Sequence, residues 1–349
     1  MPVNPPFPQD TRSRLADWLE VETLVRPRGV ATRGDVLRLY DFIEDDSHEL
    51  EIDEVTGEEL EGEILEHGRA ECADEVLAEI EHRVQTLDTG YPFDFELARQ
   101  QWRLSIAEPV QDAHIYAART CYLFCLLTSA LRDGRISGNT TAVKQPMANH
   151  FQAIATDAAA GVLNGQAISF GFPRPSGAGF RPALADVSRQ MRLGTPLGTL
   201  PLHSNGQEKD AGIDVIAWRD FRDGRPSKLV LLGQVASGHD WKEKSVKNDT
   251  YRFFDWFSQR PTEHYIPSIF IPFPLHHECQ AQAGVAFEDV AVANAYHFER
   301  GFGIIVDRLR IVEAAATRLA EAHDGASNST LSSLEAWTGE VLHLARESV

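Results

Sequence analysis

At 349 residues and 38.8 kDa the chain is long enough to bury a large core and to hold two or three domains. Hydrophobic residues make up 43% and charged residues 24%, the balance of a folded chain and not of a disordered or fibrous one. The formal net charge of −19 excludes a generally basic nucleic-acid coat, so any phosphate-binding surface must be local. No apolar run is long enough to span a bilayer, and the Pro-rich start lacks the n-region and h-region of a signal peptide. A soluble, cytoplasmic protein with no membrane partner is expected. Cys72, Cys121, Cys125 and Cys279 form no Cys-x-x-Cys pair and read as reduced, buried thiols, neither disulfide framework nor zinc site.

Residues 1–10 form a Pro-rich arm expected to be disordered. Leu15 to Val25 carries Leu15, Trp18, Leu19 and Glu22 at helical spacing and ends at Pro27 and Gly29. A second helix is expected over Gly34 to Phe42, with Thr32 as N-cap and Asp35 where the helix dipole favours acid. Asp41 to Glu81 is crowded with acids, and Arg69 is its only Lys or Arg. The run reads either as a solvated helix face plus a loop, or as an acidic face that mimics DNA and occupies a cleft. Cys72 to Leu87 within it predicts an amphipathic helix. Ala113 to Leu131 predicts a buried helix closed by Gly134. Residues 1–139 are thus expected as an α-helical N-terminal domain.

Beyond the boundary at Gly134 to Thr141, Phe151 to Gly161 predicts a helix and Ala167 to Gly171 a strand. Pro182 to Met191 predicts a second helix between Gly/Pro-rich loops. Ile213 to Trp218 and Lys228 to Val235 are short, rich in Val, Ile and Leu, and joined through Asp223-Gly224, the pattern of a hairpin. The aromatics of Thr250 to Ser258 read as helix core more readily than as a base-stacking surface. Tyr265 to Leu275 predicts a strand, and the adjacent His276-His277 that follow have the wrong spacing for one helical metal face. Gly303 to Val306 predicts a last strand, then a helix to about His323, with Asp307-Arg308 readable as an ion pair. Gly325 to Thr330 is a linker before a final helix, Leu331 to Arg346. No internal repeat, P-loop or dinucleotide fingerprint occurs.

The chemistry-bearing stretch runs from Gln207 to Lys244. Asp214 lies near the start of one strand of the hairpin, Gln234 near the end of the other, and Lys242 and Lys244 follow shortly. Hydrolysis of a phosphodiester needs a hard cation to polarise the phosphoryl oxygen and to generate a nucleophilic water. Mg²⁺ takes a carboxylate or two with other oxygen ligands, which side chains and carbonyls at adjacent strand ends can supply. A nearby lysine can orient the water or stabilise developing negative charge.

Asp210-Ala211-Gly212-Ile213-Asp214 followed by Gln234-Val235-Ala236 resembles the PD-(D/E)xK, or restriction-endonuclease-like, nuclease superfamily in its restriction and phage-defence branch. The likeness covers about Pro146 to Arg310. It implies an α/β (α+β) fold with a restriction-endonuclease-like mixed sheet flanked by helices over 140–310, followed by C-terminal helices over 311–349. It also implies Mg²⁺ (or Mn²⁺) as cofactor, held by Asp214, Glu208, Gln234 and Val235, with Asp214 and Gln234 as catalytic residues. The sequence departs from the motif at Ala236, where the family carries lysine, and Lys244 or Lys242 is expected to take that role. In the leading helix, Gln152 or Asp157 would stand for the family's acidic residue. The function implied is a metal-dependent DNA endonuclease in bacterial defence against foreign DNA, working with a partner ATPase or sensor protein of the same system. Self-association into a homo-oligomer stays open. The competing reading is an inactive nuclease-fold scaffold or DNA-binding subunit.

Overall fold

The computed structural model describes residues 3–6, 10–39, 58–98, 101–174, 176–202, 204, 206–280, 282, 285–325 and 330–347. The chain begins with α1 (Arg12–Val25), β1 (Val30–Thr32) and α2 (33–39), then α3 (Glu58–Leu87). Asp35 accepts from both the backbone N–H and the hydroxyl of Thr32, closing the first turn of α2. The acidic residues from Asp41 to Gly57, and with them much of the DNA-mimic reading, lie outside the described residues.

Two expectations for the N-terminal part need correction. The arm is not loose where it is described: Val3 is buried, its N–H donates to Glu22 at 3.0 Å, and Arg135 donates to the Pro5 carbonyl at 2.6 Å. Nor is the segment wholly helical. β2 (Phe93–Ala98) and β3 (Gln101–Ile106) form a hairpin that β1 joins in the antiparallel order β1-β3-β2. The hairpin follows from period-two alternation: Phe93, Trp102 and Leu104 are buried while Asp94, Gln101 and Arg103 face outward.

α4 (Ala113–Arg132) is capped by Asp112, whose carboxylate accepts from Ile115 N–H. α5 (Thr141–Leu163) then leads into a five-stranded mixed sheet. Its strands are β4 (Gln166–Ser169), β6 (Val215–Arg219), β7 (Leu229–Val235), β9 (Ile266–Phe270) and β10 (Ile304–Val306), in the order β10-β9-β7-β6-β4. β4, β6 and β7 run antiparallel in turn, and β7, β9 and β10 are parallel. Between them come α6 (Phe180–Met191), β5 (Thr195–Pro196), α7 (Val246–Phe254), β8 (Phe257–Gln259) and α8 (Phe287–Phe302). β5 and β8 pair separately. The chain closes with α9 (Arg308–Gly325) and α10 (Thr330–Glu347).

Alternation along β6 and β7 gives the sheet two apolar faces. Val215, Ala217 and Leu231 face a core shared with α1, α4, α5, α9 and α10, so one apolar mass joins the N-terminal helices to the sheet. Ile216, Trp218, Val230 and Leu232 face a second core made with α6 and α7 through Leu184, Val187, Phe253 and Phe254. Each such large side chain contributes about 1.5 to 3 kcal/mol by leaving water. The aromatic stripe of α7 is therefore mostly core, although Tyr251 is exposed. Among the described residues no helix is long and apolar enough to cross a membrane.

A buried ionic knot ties the two ends of the chain together. Arg308, at the start of α9, donates to both oxygens of Asp17 in α1 at 2.7 Å. Arg83 of α3 reaches Asp17 and Glu20 at 2.8 Å and Glu79 at 3.0 Å, and Tyr91 donates to Glu20 at 2.6 Å. Burial raises the cost of charging Asp17, but Arg308 and Arg83 outweigh it and hold the carboxyl well below its usual range. Glu79 is likewise brought down to about 2 against burial, by Arg83 and His276. Arg308 thus pairs with Asp17 and not with its neighbour Asp307, which instead accepts from Leu275 N–H. The two adjacent histidines belong to the knot: His276 lies 2.9 Å from Glu79 and His277 lies 3.2 Å from Asp17.

Candidate active site

Asp214 is aimed by the turn before β6. Ala211 and Gly212 both take positive φ, 54° and 78°, while Asp210 accepts from Gly212 N–H at 2.9 Å and from Ile213 N–H at 3.1 Å. Gly212 is required twice over. It sits in the left-handed region, and a Cβ there would lie 2.5 Å from the Cβ of Asp249. The turn releases the chain into β6, where Asp214 N–H donates to the Gly233 carbonyl and the Asp214 carbonyl accepts from Phe170 and Gly171. The carboxylate then takes a place in the ladder: its Oδ2 accepts the N–H of Val235 at 2.9 Å.

Gln234 stands on the same face. Val215 pairs with Gly233, so one step back along β6 and one step on along β7 brings Asp214 opposite Gln234, on the side of Ile216 and Leu232. Gln234 is 6% exposed. Its Nε2 donates to Oδ2 of Asp249 in α7 at 3.1 Å, which leaves Oε1 buried without a hydrogen-bond partner. Asp249 carries no sequence signal beyond an acid in the first turn of a helix, where the dipole favours one. Asp249 in turn lies 3.3 Å from Arg252, whose other nitrogen lies 3.3 Å from Glu208. Glu208, expected as a metal ligand, is therefore engaged by Arg252.

The two lysines separate. Lys242 pairs with Glu278 and holds its ammonium near the rings of Trp241 and Phe298, so its charge is committed elsewhere. Lys244 is the one whose charge acts on Asp214. The expected helix from Trp241 is a short 3-10 turn over His239–Glu243, and Lys244 lies between it and α7 in extended backbone. Ala236, where the motif has lysine, is fully buried among Trp241, Ile269, Ile271 and Phe273. A lysine there would start from apolar surroundings that hold no counter-charge of their own.

Burial pushes the Asp214 carboxyl up to about 6. The Val235 N–H and the Lys244 ammonium pull the other way, and Asp210 adds to the rise. Gly171 lies directly against this group: a Cβ there would fall 2.5 Å from Asp214 Oδ1 and 2.7 Å from Gln152 Nε2. Gln152, in the leading helix α5, donates to Ser169 Oγ at 2.6 Å. A cleft of about 480 Å³ opens there, lined by Asn149, Gln152, Thr156, Asp157, Ser169 and Arg174 among others. Asp157 lies in this cleft, its carboxyl also raised to about 6 by burial against the opposing pull of Arg318. Of the two leading-helix candidates, Gln152 is the one beside Asp214.

Several bases around the site are committed internally. Arg174 is buried and donates to the carbonyls of Ala178 and Lys209, Lys228 pairs with Asp220, and Lys247 donates to the Arg300 carbonyl at 2.8 Å. Among the described residues no group of three or more His, Cys, Asp or Glu side chains is arranged to hold a metal. The groups that the two strand ends present are of another kind: one carboxylate, one orphan amide oxygen and the backbone at Val235. Comparison with protein-family models, with curated proteins and with solved structures found no match.

Proposed function

We propose that this chain is a metal-dependent DNA endonuclease of restriction-endonuclease-like type. The observation that carries the reading is the pairing of the raised Asp214 carboxyl with the buried, unpartnered Oε1 of Gln234 at adjacent strand ends. A buried acceptor with nothing to accept from is costly, about 1 to 3 kcal/mol, and a hard cation would satisfy it. Asp214, Gln234 and the Val235 carbonyl would hold Mg²⁺ or Mn²⁺. Bound there, the cation would polarise the phosphoryl oxygen and lower the pKa of a water. Asp249 fixes the Gln234 amide so that its nitrogen faces α7 and its oxygen stays free. The charge of Lys244 is felt at Asp214, and it would assist a phosphate or the attacking water there. The run of α5, three antiparallel strands, α7 and a parallel fourth strand supports the same family. A role in bacterial defence, beside a partner ATPase or sensor, belongs to this reading by analogy of fold.

The experiment is plasmid cleavage by the purified protein with Mg²⁺ or Mn²⁺, beside Asp214→Ala and Lys244→Ala. Nicking or linearisation that disappears with Asp214→Ala is the expected result, and Lys244→Ala is expected to be strongly impaired. Cleavage that survives Asp214→Ala would sink the site. One observation favours the second reading, a DNA-holding scaffold: the motif lysine is replaced by an alanine sealed in an apolar cluster. Absence of cleavage with intact DNA binding would favour it.

A further inference from the structure

An exposed aromatic ring follows Gly171, the glycine that lies against Asp214. Phe170 is fully buried, yet Phe172, two residues on, is 52% exposed. The two flank Gly171, where a Cβ would lie 2.5 Å from the Asp214 carboxylate, so Phe172 is the next residue in the chain after the glycine at the candidate reaction centre. One cation is already set beside its ring: Lys209 Nζ lies 5.4 Å from the centroid, on an exposed side chain. The next two residues, Pro173 and Arg174, line the cleft that Gln152 and Ser169 also border. Arg174 keeps a buried Nε without a hydrogen-bond partner at that wall.

We infer that Phe172 is a stacking platform for an unpaired base, with Lys209 beside it for the adjoining phosphate, so that the substrate is single-stranded or locally unpaired DNA. The inference rests on the nuclease reading for its choice of DNA, and it adds the state of the strand. The physical grounds are three. Exposing an aromatic ring in water is unfavourable unless something covers it, and a base has a π-face of matching size. Inside a duplex both faces of a base are occupied, so a ring can stack only on a base that has left the helix. Asn149, Gln152 and Thr156 line the cleft with neutral donors and acceptors, the groups that meet base edges, beside the carboxyl of Asp157.

The test measures binding apart from cleavage. Fluorescence anisotropy is followed with a labelled single strand of about 16 nucleotides, and with its duplex, in Ca²⁺ buffer. The variants are Phe172→Ala, Phe172→Trp and Lys209→Gln, with Mg²⁺ cleavage of both substrates run in parallel. Expected is tighter binding of the single strand than of the duplex, roughly tenfold weaker single-strand binding in Phe172→Ala, and retention in Phe172→Trp. Lys209→Gln should lower the slope of log affinity against log salt by about 0.7. Phe172 is exposed, so circular dichroism should show all variants folded. Binding that ignores Phe172, a preference for duplex, or no binding of either substrate overturns the inference. Stacking on Phe172 without cleavage leaves the inference standing and removes the nuclease reading. Cleavage indifferent to Phe172 does the reverse.

Discussion

The Asp214 carboxyl makes the candidate site sensitive to pH, and the sign can be worked out. Folding raises this group from 3.8 to about 6, so between those values the folded chain binds more protons than the unfolded one. The contribution of this group to stability therefore falls as pH rises from about 4 to 6 and stays low above. Asp214→Asn removes the charge and keeps the shape. Because Asp214 is partly buried, the variant should gain on the order of 1 to 2 kcal/mol over wild type at pH 7 without divalent cation. Urea unfolding at pH 7 and pH 4 measures this, and an equal gain at both would count against it. Protons and cation compete for the same oxygens, so Mg²⁺ affinity by calorimetry should weaken roughly tenfold per pH unit below about 6. Asp249 acts one step back, through the Gln234 amide. Asp249→Ala should cost about tenfold or more in cation affinity, while Asp249→Asn, which still accepts from Nε2, should recover most of it. If Ala and Asn behave alike, Asp249 does not set the amide. That Asp214 and Gln234 stand at adjacent strand ends is legible because strand and turn residues show in a sequence. Asp249 is not, because its role depends on how closely α7 approaches Gly212, and a helix-start acid has an ordinary explanation of its own.

Between elements, contact distance decides. Gly161 in α5 faces the backbone of α9, and a Cβ there would lie 1.8 Å from the Ala314 carbonyl oxygen. Helix propensity alone would make Gly161→Ala stabilising by about 1 kcal/mol. Overpacking against a backbone atom that cannot rotate away costs about 2 to 3 kcal/mol and should win, leaving the variant less stable. Gly339 in α10 is the control: a Cβ there meets nothing within 4 Å, so Gly339→Ala should stabilise the protein by about 0.5 to 1 kcal/mol. Thermal unfolding of the two variants separates the effects, and a stabilised Gly161→Ala would mean that the helices have room. The strands and helices around the sheet were legible from periodicity, including β6, β7, α6, β10 and α10. The hairpin of β2 and β3 was equally periodic, but a helix-rich neighbourhood drew the whole segment to one class. The arm at Val3 was missed because its order comes from Glu22 and Arg135, which are distant in sequence.

For the molecule as a whole, the two apolar faces of the sheet could be anticipated, but the knot of Asp17, Glu20, Glu79, Arg83 and Arg308 could not. It joins residues from three separate helices, and charged residues in helices read by default as surface. Arg308→Leu would leave Asp17 buried without its bidentate partner. The expected cost is about 3 to 5 kcal/mol, seen as a large fall in urea midpoint. A loss below 1 kcal/mol would show the knot to be solvated. The lowered carboxyls give the opposite pH sign to Asp214. The contribution of Glu79 is complete above its ordinary 4.5 and is lost as pH falls towards about 2, so acid should loosen the ends of the chain.

The distance in sequence between Asp17 and Arg308 has a consequence for synthesis. They are 291 residues apart, and at about 5 to 20 residues per second a ribosome needs on the order of 15 to 60 s to deliver the second after the first. Until then Asp17 has, of its two arginine partners, at most Arg83. The first helices are thus committed early and completed late, and the nascent chain must keep Asp17 hydrated until its partner emerges.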